Sequence, residues 1–146
     1  MKYILFSTAF FVLSSFYGSI AKCQDLLVLY GEKPANLELV ESNTGTGQVV
    51  AETRYKVSGE NALKIEQYFI EKCGMGQLKF KCCGWESEGG KNGFFEHEGL
   101  KKVNANYQLE VSMYGHAERK NEKGEIYLES DRTKIDFFVV VKVLDV

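Results

Sequence analysis

The sequence predicts an α+β domain, an antiparallel sheet of about five or six strands with one main helix packed on a face. Three observations lead there. Apolar and polar residues alternate along 49–57 and 107–113, the period of a strand with one buried face. Segment 58–73 instead carries apolar residues three and four apart, the period of a helix. No Gly-rich phosphate loop follows a strand and no β-α-β series is visible, which argues against a doubly wound nucleotide fold.

The elements follow in order. Asp25 to Gly31 (DLLVLYG) reads as one or two helical turns. Lys33-Pro34 ends it, because the residue before Pro avoids the helical region. Leu37 and Leu39 alternate with Glu38 and Val40 as a short strand, and Ser42 to Gly47 (SNTGTG) is a turn signal. Val49, Ala51, Thr53, Tyr55 and Val57 then share one face of a long strand, so the pair reads as a hairpin.

Ser58 has the hydroxyl of an N-cap. The helix that follows has Ala62, Ile65, Phe69 and Cys73 as its core stripe, with Lys64, Glu66, Glu71 and Lys72 on the remaining surface. Gly74 stands where a helix turns left-handed to stop. Gln77 to Trp85 reads as a single strand, with Leu78, Phe80 and Cys82 opposite Lys79, Lys81 and Cys83. Glu86 to Gly99 is Gly-rich and charged, a mobile loop. Tyr107, Leu109, Val111 and Met113 face one way along a half-buried strand. His116 to Gly124 is a polar connection, and Glu125 to Glu129 a short strand. The last strand is apolar on both faces, through Ile135, Phe137, Val139, Val141 and Val143 and through Phe138, Val140 and Leu144, which places it centrally.

Ahead of the domain, Lys2, an apolar run from Tyr3 to Phe16 and the small residues Ser19 and Ala21 form an export signal over residues 1–21. Its removal leaves 22–146 as a single α+β domain. Lipid attachment at Cys23 is the alternative; Ile20 and Ala21 fit it, and Lys22 does not. No second apolar stretch of membrane length follows, so no transmembrane segment is expected in the mature chain. Hydrophobic residues at 45% and charged residues at 26% suit a folded chain rather than a disordered one. The net charge is −2, and −3 once Lys2 is removed. The only basic clusters are pairs, Lys101-Lys102 and Arg119-Lys120, so no nucleic-acid partner is expected. Nothing in the sequence specifies an oligomeric state.

Export permits disulfides. Adjacent Cys82 and Cys83 have Cα atoms about 3.8 Å apart, short of the usual range, so a bond between them requires strain. With the segment read as a strand, Cys82 lies about 16 Å beyond the helix end that carries Cys73. The expected disulfide is therefore Cys23 with Cys82 or Cys83, and the other two cysteines are expected to be buried thiols.

His97 and His116 match no metal-ligand spacing. No nucleophile motif is present, so no catalytic residue, metal or cofactor is expected. Trp85, Phe94 and Phe95 around the Gly-rich loop are candidate binding residues, since exposed aromatics on a supported loop make hot spots. The competing expectation is that Trp85 caps the core and the Phe pair folds over the sheet.

At Cys82-Cys83-Gly84-Trp85-Glu86 the chain resembles a family of small exported bacterial proteins known only as a domain of unknown function. The resemblance includes Cys23-Gln24-Asp25-Leu26-Leu27, Lys33-Pro34 with Leu37, Tyr55-Lys56-Val57 with Gly59, Gly74-Met75 with Leu78 and Phe80, and Phe137-x-Val139-x-Val141. Such proteins tend to carry a Cys near Ser42–Asn43, absent here, and Cys73 is an addition. The resemblance implies a bacterial envelope location and no activity. The sequence thus points to an exported, periplasmic binding, inhibitor or immunity-type module with an envelope protein partner. The alternatives are an envelope enzyme using His97, Glu96 or Glu98, and a lipid-anchored structural protein.

Overall fold

Asp25 starts the first element. Its Oδ1 accepts from the Val28 amide at 3.2 Å and caps a short helix, α1 (Leu26–Tyr30). The computed structural model describes residues 24–146; the export signal read at 1–21 and Cys23 lie outside them. Asp25 also accepts from Lys33 Nζ at 2.7 Å and from the Tyr55 hydroxyl at 2.6 Å. That hydroxyl in turn accepts from the Leu27 amide and from Thr53 Oγ1. Burial alone would raise the Asp25 carboxyl, but the donors from Lys33, Tyr55 and Val28 outweigh it and hold it below its ordinary value.

β1 (Glu38–Thr44) and β2 (Val49–Ser58) form the expected hairpin. The strand runs on through Ser42-Asn43-Thr44, so the turn is shorter than the sequence suggested. α2 (Gly59–Cys73) ends at Gly74, whose φ of 70° is left-handed and whose amide reaches the Ile70 carbonyl. Ser58 precedes it, but its hydroxyl accepts from the Asn61 side chain instead of a free helix amide.

Gln77–Trp85 is not one strand. β3 (Leu78–Lys81) and β4 (Gly84–Ser87) form a hairpin around Cys82-Cys83. A two-residue hairpin loop needs positive φ, and Cys82 supplies it at 46°, a conformation no sequence pattern announces for Cys. Residues 86–99 are not a structureless loop either. They hold a 3₁₀ turn (Glu88–Gly90), β5 (Gly93–Phe95) and the start of α3 (Glu98–Val103). Pieces this short leave no readable period; β5 exists because it pairs with the next long strand, β6 (Tyr107–His116). The polar connection after β6 contains β7 (Glu118–Lys120), paired with β8 (Ile126–Leu128). A 3₁₀ turn (Arg132–Lys134) leads into β9 (Asp136–Asp145).

The main sheet is antiparallel, in order β1-β2-β9-β6-β4-β3, with β5 also on β6. β9 is central, as its two apolar faces predicted. One face presents Tyr55, Val57, Leu109, Val111, Phe137, Val139 and Val141 to Ala62, Ile65 and Phe69 of α2, and α1 and α3 add Leu26, Leu27 and Leu100 to the same cluster. Among the described residues the other face has no such layer. There Phe138 stacks on Tyr114, and Lys142 lies between Glu52 and Glu110. No helix among the described residues is long and apolar enough to cross a membrane.

Candidate functional site

The Cys-Cys-Gly-Trp-Glu string sits where one end of the main sheet hands the chain to the β7–β8 ribbon. Gly84 pairs with His116 and Trp85 with Gly115. A Cβ on Gly84 would overlap the Gly115 carbonyl oxygen, so only glycine lets the hairpin approach β6 this closely. The Cys83 carbonyl then accepts from the Ala117 amide at 3.0 Å. This carries the ladder one step beyond β6 and fixes the outgoing base of the ribbon.

Trp85 fixes the returning base. The Arg132 guanidinium lies 5.1 Å from the Trp85 ring centroid and 5.1 Å from that of Phe137. It also donates to Glu66 Oε2 at 2.7 Å, while Glu66 Oε1 accepts from the Leu78 amide at 2.6 Å. Glu66 is only 1% exposed. Placing it on the polar surface of α2 is therefore corrected. The signal was available: Glu66 follows Ile65, stands four residues after Ala62 and three before Phe69, and so lies on the same stripe.

The candidate aromatics do not converge on one spot. Trp85 packs against the core and edge-on to Phe80. Phe95 also packs on the core, with its ring against Gly31. Phe94 is 46% exposed on the opposite face, paired with Glu110. Along β6, the partners of Trp85 and Phe94 are about 17 Å apart by strand rise. His97 caps α3 by accepting from the Gly99 amide, and Glu96 pairs with Lys101. His116, Tyr114, Glu86 and the two cysteines instead line a shallow concavity of about 440 Å³ beside the hairpin tip.

The Cys82 and Cys83 sulfurs face each other within disulfide distance at that exposed tip. The expected pairing of Cys23 with Cys82 or Cys83 involves Cys23, which lies outside the described residues. The strand reading behind that pairing put the two side chains on opposite faces; a turn puts them together. Cys73 remains a thiol, donating to the Phe69 carbonyl, and burial pushes its pKa up. Among the described residues no three His, Cys, Asp or Glu side chains gather as metal ligands.

The residues that sequence reasoning missed are on the ribbon itself. Ile126, Tyr127 and Leu128 are 66%, 47% and 49% exposed. Ile126 and Leu128 share one face of the strand and Tyr127 stands on the other, so both faces of the ribbon carry exposed large apolar side chains. Their short run between glutamates looked only like a minor strand.

A family model described as a domain of unknown function, DUF4952, matches residues 16–85, just under half of the chain. The chain is similar to that family over this stretch, which stops at Trp85, before the ribbon. No curated protein and no solved structure matches the chain.

Proposed function

We propose that the protein is an exported protein-binding module of inhibitor or immunity type, acting on a partner in the bacterial envelope. The observation that carries this reading is the ribbon, on which Ile126, Tyr127 and Leu128 stand exposed while Cys83, Trp85 and Arg132 hold its base. Export is supported by the apolar leader at residues 1–21. A base held in place beneath an apolar strand lets contact residues bind with little ordering cost.

Affinity capture from envelope extract tests it, with the wild type beside a double variant, Ile126→Asp with Leu128→Asp. The wild type should retain an envelope protein that the variant loses by about tenfold or more, at an unchanged Tm. Equal capture by both proteins, or none above background by either, sinks the reading.

A further inference from the structure

The two edges of the β7–β8 ribbon are not equivalent. The Asn121 amide donates to the Glu125 carbonyl, and the Glu129 amide to the Ala117 carbonyl. Alternation along the ladder makes Arg119 and Tyr127 the bonded pair between them. The backbone N–H and C=O groups of Ile126 and Leu128 therefore point away from β7, as do those of Glu118 and Lys120 on the other edge. Charged side chains blunt the β7 edge. Aliphatic side chains leave the β8 edge open.

We propose that this β8 edge takes up an extended segment of a partner protein by strand addition, the segment being apolar with a basic residue at each end. The proposal rests on the protein-binding reading above and names the chemistry of the partner. Main-chain bonds to Ile126 and Leu128 supply the pairing, as in other strand-addition complexes. The ends supply the charge requirement. Glu125 and Glu129 flank the apolar triplet on the Tyr127 face, where, among the described residues, their carboxylates accept from the Asn121 side chain and the Asp131 amide. Lys or Arg opposite each completes a cross-strand pair. The same glutamates act against a second copy of this chain. Antiparallel pairing centred on Tyr127 sets Glu125 of each copy against Glu129 of the other, and like charges directly opposite destabilise a sheet.

The test is an NMR titration of the full chain with two synthetic pentapeptides, Lys-Val-Thr-Val-Lys and Glu-Val-Thr-Val-Glu. The basic peptide should shift and protect the Ile126 and Leu128 amides at about 1 mM. The acidic one should bind about tenfold more weakly. A Leu128→Pro variant, which removes one outward N–H, should lose the basic peptide with its β7–β8 cross-strand signals intact. Three outcomes overturn the proposal: no response of these amides, equal binding of both peptides, or the same shifts appearing with protein concentration alone. If the basic peptide fails while the Ile126→Asp, Leu128→Asp variant still loses its captured partner, strand addition falls and the protein-binding reading stands.

Discussion

A carboxylate that is 1% exposed must be fully engaged, and Glu66 spends both oxygens, one on the Leu78 amide and one on Arg132. Removing one partner of a buried pair leaves the other charge in a poor solvent, typically a loss of about 3–5 kcal/mol. Glu66→Ala should therefore lower stability by about that amount in urea unfolding, since Arg132 would lie over Trp85 and Phe137 with no counter-charge. Removing both charges should recover part of the loss. Glu66→Leu with Arg132→Met is expected to be more stable than Glu66→Ala by about 1 kcal/mol or more, because neither ion is then left alone. Strictly additive losses would mean that the two side chains do not depend on each other.

At the scale of elements, the β3–β4 hairpin and the ribbon form one unit, joined by the bond from the Ala117 amide to the Cys83 carbonyl. Gly84→Ala places a methyl group against the Gly115 carbonyl and should cost about 1–3 kcal/mol by forcing the backbone apart. Amide hydrogen exchange locates the effect: protection at Ala117 should fall, while protection in the central strands β2 and β9 follows only the global change. Unaltered exchange at Ala117 would separate the hairpin from the ribbon. The long elements were legible in the sequence, because β2, β6 and β9 run ten residues each and α2 fifteen, enough for a period to show. The candidate site was not. Cys82 turns the chain at a positive φ that is unusual for its residue type. β5 and β7 have three residues each, and tertiary pairing alone makes them strands; the short strand read over 125–129 is β8, Ile126–Leu128. Trp85, read as a candidate binding residue, packs on the core with the Arg132 guanidinium over its ring.

Across the whole molecule, the same network that starts α1 ties it to the middle of the sheet, so the pH dependence of stability reports on how the first described residues are held. The Asp25 carboxyl lies below its ordinary value because donors from Lys33, Tyr55 and Val28 outweigh its partial burial. A carboxylate with a depressed native pKa contributes stability above its unfolded value, about 3.9, and loses it as pH falls through the native value. Burial and the hydrogen bond to Asp25 push Tyr55 the other way, well above its ordinary value. Above about pH 10 the unfolded tyrosine ionises while the native one does not, so stability falls again on the alkaline side. Asp25→Asn keeps an oxygen for the Val28 amide but gives up the charge facing Lys33, and should cost about 1 kcal/mol at pH 7. The gap in Tm between wild type and variant should hold from pH 7 to about 5 and close as pH falls through the native Asp25 titration. Above about pH 10 the variant should lose stability less steeply, because its Tyr55 no longer donates to a charged carboxylate. Parallel Tm curves over the whole range would show that Asp25 contributes only as a helix cap and that α1 is held to the sheet by Leu26 and Leu27 alone.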